Sequence, residues 1–323
     1  MKFNFKAFIF ALIFCTVFII SKNLFSCVLS AQIDKGIYKA SKLENIDALY
    51  IGSSMFRQGI NMKEIKNENS FMLSYNGFDP AMEFLVLEFL IKNGLKIKNL
   101  YIDMYAYSAS GESWLSDDRM FFESPLSLKL KIFKLITQNS KANIFSAAWE
   151  LFISSGNDLF ILWPLQKKLT SKRYYKGGAD VPGMPSSNFE ILNSIPIPDS
   201  GNSSMNENQK KAIIKIINLC KNNNINLIFI ETPKYIKVMK SSFYKNVMNE
   251  YIKILNDNDI KFFVSEEILK DGGRQQGSCY KFPHDNPSMF GDHIHLSTEG
   301  SREFSRMLKR LNSYDKILTF KGE

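Results

Sequence analysis

Short apolar runs alternate with longer amphipathic segments along much of this 323-residue chain, and this alternation constrains the fold more than any other feature. Runs typical of buried strands lie at 46–51, 71–75, 99–104, 225–230 and 260–264. Helical spacing of apolar residues lies at 207–223, 242–256 and 301–311. Because strands that alternate with helices pair in parallel through crossover connections, the pattern predicts an α/β fold with a central parallel sheet.

A glycine and two serines, Gly52, Ser53 and Ser54, follow the first predicted strand. Active sites of parallel sheets lie at the carboxyl ends of the strands. Gly52 allows a tight turn, and Ser54 would begin a helix, where backbone N–H groups favour a developing negative charge. Serines at such positions also cap helices in ordinary proteins, so the turn alone does not identify a nucleophile.

All three histidines, His284, His293 and His295, fall in one short region near the C-terminus. Asp292 precedes His295 by three positions on a loop that leads into a predicted helix. This spacing lets a carboxylate orient an imidazole, and histidine is the side chain best suited to proton transfer near neutral pH. The loop therefore predicts His295 as a general base and Asp292 as its orienting group, with Ser54 as the nucleophile that they serve.

The same region also permits a second interpretation, a metal site. His293 and His295 stand two positions apart, and Asp292, His284 and Asp285 are close in sequence. Imidazole nitrogens and carboxylate oxygens are suitable zinc ligands. This interpretation leaves the serine turn without a role. The chain has no Cys-x-x-Cys pair, and we expect no cofactor.

The serine turn and the Asp292-x-x-His295 loop, in this order, resemble the conserved blocks of the SGNH or GDSL-type hydrolase superfamily. The resemblance covers roughly residues 45–104 and 207–312, and Ser53 stands where the superfamily has an aspartate. It implies a flavodoxin-like three-layer sandwich and a catalytic triad of Ser54, His295 and Asp292. The Gly-Ser-Ser form behind an apolar N-terminus is more similar to the extracytoplasmic branch, the D-alanyl-lipoteichoic acid biosynthesis and alginate or peptidoglycan O-acetylation proteins.

That branch implies an esterase or O-acyltransferase that acts on a cell-envelope glycopolymer, with a multi-pass membrane acyltransferase as a candidate partner. The superfamily's oxyanion donors would correspond to the Gly77 backbone and the Asn76 side chain, although Asn-Gly is also an ordinary turn sequence. The asparagine expected after the third strand is missing, and Asn157 comes too late in the chain to replace it without a long insertion folding back. An inactive accessory protein that binds a glycan or an acyltransferase is the alternative.

The first 31 residues carry the pattern of an export signal. Lys2 and Lys6 precede an uncharged apolar run at 7–21, which is shorter than the roughly 20 residues of a typical membrane span. We predict a signal anchor, with a cleaved signal peptide and a buried core helix as alternatives. The two lysines place the N-terminus in the cytoplasm, so the domain at 32–323 would be membrane-anchored and extracytoplasmic, in the periplasm or at the cell surface.

Residues 105–205 interrupt the strand–helix alternation and are rich in aromatic residues. So long a segment without structure is uncommon inside a compact domain, which predicts a partly helical insertion or cap. The formal net charge of +9 suits a location beside anionic lipid or polymer, but lysines scattered along a chain more often form an ordinary solvated surface. The basic clusters are short and no recognition motif accompanies them, so we expect no nucleic-acid partner.

Overall fold

The computed structural model describes only part of the chain. It covers residues 9–10, 12–14, 16–17, 36–65, 69–115, 121, 124–138, 143–148, 151–152, 184–194, 196–197, 204–269 and 278–319, with side chains as far as residue 310. Most of the predicted signal anchor, and Asn157, lie outside these ranges. Among the described helices, none is both long and apolar enough to cross a bilayer.

Six parallel strands form a single sheet. The strands are β1 (Asn45–Gly52), β2 (Ser70–Ser74), β3 (Lys96–Asp103), β4 (Asn226–Ile230), β5 (Lys261–Ser265) and β6 (Ser278–Tyr280). Their order across the sheet is β2-β1-β3-β4-β5-β6, and every neighbouring pair is parallel. The chain moves outward from β1 to β2 and then returns past β1 to β3, so the direction of winding reverses between β1 and β3. This arrangement is consistent with a flavodoxin-like fold.

The helices flank this sheet. They are α1 (Gly36–Ala40), α2 (Ser54–Gly59), α3 (Met62–Ile65), α4 (Pro80–Lys92), α5 (Ala106–Ser110), α6 (Leu126–Thr137), α7 (Ile144–Ala148), α8 (Phe189–Ser194), α9 (Glu207–Asn222), α10 (Ile236–Met239), α11 (Ser242–Asp257), α12 (Glu266–Leu269) and α13 (Thr298–Thr319), with a 3-10 turn at Pro287–Met289.

Both faces of the sheet are covered. Along β1, Leu49 and Ile51 point into a large core shared with α4, α9 and α11, while Ala48 and Tyr50 point into a smaller core on the other face. All four side chains are buried. Because neither face of the sheet is exposed to water, the strand sequences are continuous apolar runs and do not alternate between apolar and polar residues.

The sequence predicted the five longer strands to within a few residues at each end, and it predicted α9 and α11. It missed β6, which has only three residues, and α4, whose sequence is apolar almost throughout and has no clear helical period. Asp79 caps α4 by accepting hydrogen bonds from the Ala81 and Met82 backbone amides, each 3.0 Å long.

The described parts of the 105–205 insertion are partly helical. Within α6, Leu128, Ile132 and Ile136 are buried against the large core. At the end of the insertion, the Met184 backbone pairs with Leu296 and Thr298 through hydrogen bonds of 3.1 and 3.0 Å. The insertion therefore contacts the loop that carries His295.

Candidate active site

The candidate nucleophile lies at the carboxyl end of β1. The strand ends at Gly52, and Ser53 caps α2 because its Oγ accepts a hydrogen bond of 3.2 Å from the Met55 amide. Ser54 is the first residue of α2 and is 8% exposed. Its backbone N–H belongs to the first helical turn, where amides have no partner within the helix.

Gly52 is required by close packing. A Cβ atom at this position would lie 2.5 Å from the Cβ of Asp103 and 2.8 Å from the Cβ of Phe56. The Gly52 carbonyl accepts hydrogen bonds from the Tyr75 amide (3.0 Å) and from the Ser74 hydroxyl (3.1 Å). The turn is therefore fixed from both neighbouring strands, with β3 packing against it and the end of β2 bonded to it.

The structure brings Ser54, His295 and Asp292 into one chain of hydrogen bonds. Ser54 Oγ lies 3.0 Å from His295 Nε2, and His295 Nδ1 lies 2.7 Å from Asp292 Oδ2. The other carboxylate oxygen, Oδ1, accepts hydrogen bonds of 2.8 Å from the backbone amides of Ile294 and His295. The aspartate thus holds both the backbone and the ring of the histidine in place.

The electrostatics of the pair determine the direction of these bonds. Burial opposes ionisation of Asp292, but the hydrogen bonds from the His295 ring and the Ile294 and His295 amides outweigh it and lower its pKa. An ionised Asp292 accepts from Nδ1–H, which leaves Nε2 as an acceptor for the Ser54 hydroxyl proton. This is the proton arrangement that a general base requires.

Close packing also shapes the histidine loop. The Gly291 amide donates to the His295 carbonyl over 2.9 Å, and Phe290 forms a β-bridge with Leu296. A Cβ atom on Gly300, in the first turn of α13, would lie 2.0 Å from the Met289 carbonyl oxygen. The helix and the loop are thereby held together, and the loop folds over the carboxyl end of the sheet.

The two predicted oxyanion donors lie in the turn after β2, the strand next to β1. The Phe78 amide donates to the Tyr75 carbonyl (3.3 Å), and Gly77 has a φ of 60°, so the Asn-Gly turn is present. Asn76 is exposed, and its Oδ1 accepts a hydrogen bond of 2.7 Å from Arg57 Nη2 on α2. This bond ties the turn to the nucleophile helix, and the roles of Gly77 and Asn76 in catalysis stay predictions.

The other two histidines have different surroundings. His284 is buried, and its Nε2 and Nδ1 both lie 2.7 Å from partners, the Ser265 hydroxyl and the Lys234 carbonyl. Both ring nitrogens of His293 are buried, and neither makes a hydrogen bond within the described structure. In the described ranges, no three potential ligands are grouped so as to hold a metal ion.

Sequence reasoning missed how much the neighbouring strands contribute. Asp103, at the end of β3, is 2% exposed and accepts hydrogen bonds from the Ser53 hydroxyl and amide, so it holds the serine turn. Burial raises its pKa, while the Lys234 ammonium and hydrogen bonds from Ser53 and Thr232 act in the opposite direction. In the sequence, this network is marked only by polar residues near the ends of two predicted strands, Asp103 in the run at 99–104 and Thr232 after the run at 225–230.

Comparisons of the chain with protein-family models and with curated proteins find no match. The function is therefore inferred from the hydrogen-bonded Ser54, His295 and Asp292 and from the sheet edge that carries them.

Proposed function

We propose that this protein is a serine-dependent acyl-transfer enzyme of the SGNH type, an esterase or an O-acyltransferase. The observation that carries the proposal is the hydrogen-bonded series Ser54 Oγ, His295 Nε2, His295 Nδ1 and Asp292 Oδ2, with heavy-atom separations of 3.0 and 2.7 Å. A nucleophile that contacts a base, which in turn contacts an orienting carboxylate, is the recognisable geometry of nucleophilic acyl transfer.

The reaction would proceed in two halves. Ser54 Oγ attacks the acyl carbonyl carbon while its proton moves to His295 Nε2, and the resulting tetrahedral intermediate expels an alcohol that takes this proton. The acyl group is then an ester of Ser54. In the second half, His295 removes a proton from water or from an acceptor hydroxyl as its oxygen attacks the ester carbon. The bond to Ser54 Oγ then breaks, the acid or new ester leaves, and His295 returns the proton to Ser54 Oγ. Asp292 stabilises the imidazolium in both halves.

The oxyanion of the tetrahedral intermediate is stabilised by hydrogen-bond donors whose positions are fixed before the reaction. The Ser54 backbone N–H, at the start of α2, supplies one donor beside the reacting oxygen. We propose the Gly77 backbone N–H as a second donor and the Asn76 amide as a third. Loss of one such donor typically lowers the rate by about 100-fold or more.

The proposed substrate is an acylated cell-envelope glycopolymer outside the cytoplasm. This proposal is supported by the resemblance of the serine and histidine blocks to extracytoplasmic SGNH proteins, by the export-signal pattern of residues 1–31 and by the net charge of +9, which favours an anionic polymer or lipid surface. A multi-pass membrane acyltransferase would supply acyl groups as a partner. The chemistry needs no cofactor.

A serine-reactive fluorophosphonate tests the proposal on the full chain. Intact-mass analysis should show one adduct on the wild-type protein, none on Ser54→Ala, and a slower but complete adduct on Ser53→Ala, because Ser53 holds the turn and does not react. Labelling that persists in Ser54→Ala and is lost in Ser53→Ala would reverse the assignment of the nucleophile.

One observation favours the alternative, a non-catalytic accessory protein. No asparagine stands directly after β3, in residues 104–115, so the oxyanion site lacks a donor that the SGNH pattern would place there. A folded wild-type protein that never reacts with the fluorophosphonate, yet binds an acylated glycan, would favour this alternative.

A further inference from the structure

Hydrogen bonds connect the nucleophile turn to the segment that follows β4. Thr232 Oγ1 donates to Asp103 Oδ1 over 3.0 Å, and the other oxygen of Asp103 accepts from the Ser53 hydroxyl (2.5 Å) and the Ser53 amide (3.3 Å). All three residues are at most 2% exposed. The position of Ser53, and with it the start of α2, therefore depends directly on Asp103 and, through Asp103, on Thr232.

The same two residues pack against both ends of α2. A Cβ atom on Gly59, the last residue of the helix, would lie 2.3 Å from Thr232 Cγ2. A Cβ atom on Gly52, just before the helix, would lie 2.5 Å from Asp103 Cβ. The six-residue helix that begins with Ser54 is thus confined between Asp103 and Thr232.

The segment at 231–236 also holds the other half of the site. The Tyr235 amide donates to the His293 carbonyl over 3.1 Å, and the Ile236 amide donates to the His284 carbonyl over 2.8 Å. The His284 ring in turn lies 2.7 Å from the Lys234 carbonyl. The segment at 231–236 is therefore bonded through its backbone to the region of the histidine loop. Through the Thr232 hydroxyl and Asp103 it is also connected to the serine turn.

A buried cation reinforces this segment. Lys234 is fully buried, and its Nζ donates to the Thr232 carbonyl. Burial lowers the pKa of Lys234, while the carboxylates of Glu231, Asp103 and Asp292 oppose that shift. The carboxylate that holds Ser53 and the carboxylate that holds His295 thus both act on the pKa of Lys234.

We propose that Thr232 and Asp103 are positioning residues for Ser54, and that segment 231–236 sets the separation between the nucleophile and His295. The inference rests on the proposed function, since a positioning role has meaning only if Ser54 reacts. Proton transfer requires a hydrogen-bonded nucleophile and base, and a displacement of about 1 Å can lower a rate about 100-fold.

A pair of substitutions at Thr232 separates the hydroxyl from the methyl group. Thr232→Val keeps the shape and removes the bond to Asp103, whereas Thr232→Ser keeps the bond and removes the methyl group. On the full chain, we expect Thr232→Val to slow fluorophosphonate labelling of Ser54 about 10- to 100-fold, and Thr232→Ser to label within about threefold of wild type. Thr137→Val, which removes a hydroxyl bonded to the Phe133 carbonyl in α6, serves as the control.

The outcomes distinguish this inference from the proposed function. Wild-type labelling together with an unchanged rate in Thr232→Val would overturn the positioning role and leave the triad intact. A loss in Thr232→Ser that equals or exceeds the loss in Thr232→Val would show that the methyl contact matters as much as the hydroxyl bond, and would also overturn it. Absence of labelling in wild type would contradict the proposed function itself. Should Thr232→Val fail to fold, Asp103→Asn gives the same comparison against wild type.

Discussion

Ser54 Oγ and His295 Nε2 lie 3.0 Å apart although 241 positions separate the two residues in the chain. Both lie at the carboxyl edge of the sheet, but β1 is second in the strand order and β6 is at the far edge. The loop that carries His295 is followed by α13, and the Ser305 hydroxyl of this helix accepts a hydrogen bond of 2.7 Å from the Asn61 amide just after α2. Because the last helix packs beside the nucleophile helix, the preceding loop is held above Ser54.

Asp292→Asn should abolish most of the reactivity of Ser54 without unfolding the protein. An amide nitrogen facing His295 Nδ1 favours the tautomer with the proton on Nε2, which can no longer accept from Ser54. We expect the labelling rate to fall about 10³- to 10⁴-fold. The matched control is Asp285→Asn, which changes an exposed aspartate seven positions away in sequence. Equal rates in the two variants would contradict the role of Asp292.

Glu83→Gln should make the stability of the protein less dependent on pH. Glu83 in α4 is 2% exposed, and burial, followed by the Asp103 and Asp79 carboxylates, raises its pKa well above the usual range. A raised folded-state pKa contributes stability below the unfolded pKa of about 4.3, and this contribution is lost as pH rises, by up to about 1.4 kcal/mol per pH unit. Between pH 5 and 8, wild type should therefore lose stability relative to Glu83→Gln in urea denaturation.

Glu88→Gln on the same helix provides a control of opposite sign. Hydrogen bonds from Lys131 and Lys92 lower the pKa of Glu88, so its contribution is present above the unfolded pKa and is lost as pH falls. Both ion pairs of Glu88 lie near the surface, and we expect Glu88→Gln to change the free energy of unfolding by less than about 1 kcal/mol. If wild type and Glu83→Gln showed parallel pH profiles, the burial argument for Glu83 would be wrong.

Gly59→Ala should destabilise the protein, and Thr232→Ser should rescue it. The added methyl group would meet Thr232 Cγ2 at 2.3 Å, whereas the next nearest atom, Thr232 Cβ, lies at 3.6 Å. Overpacking of this kind costs about 1–3 kcal/mol. Thermal unfolding of the two single variants and the double variant gives the coupling energy. Additive effects would show that the contact is relieved in some other way.

Lys234→Met should be destabilising because it leaves the buried Thr232 carbonyl without the donor that Lys234 Nζ supplies. Leaving one buried polar group unsatisfied typically costs about 1–3 kcal/mol. The comparison is Lys240→Met, since Lys240 is exposed at the end of α10 and a surface lysine contributes little. Urea denaturation at pH 7 measures both. Similar midpoints for the two variants would mean that the ammonium of Lys234 does not stabilise the fold.

The sequence determined the parallel sheet and pointed to Ser54, Asp292 and His295, the three side chains that the fold brings together. Buried parallel strands have continuous apolar sequences, so β1, β3 and β4 could be located from the apolar runs at 46–51, 99–104 and 225–230. The Asp292-x-x-His295 contact is local, because a carboxylate three positions before a histidine can reach both its ring and its backbone amide. A serine at the end of β1 was then the natural partner.

Only the tertiary structure decided how these residues are held. The hydrogen bonds that Thr232 and Ser53 donate to Asp103 connect the ends of three strands that are adjacent in space but distant in sequence. Asp103 and Thr232 look like ordinary polar residues at the ends of strands, since no local pattern reports what lies on the neighbouring strand. Because β1, β3 and β4 are adjacent in the sheet, their carboxyl ends lie side by side. Asp103 and Thr232 are thereby brought into the hydrogen bonds that hold the nucleophile turn.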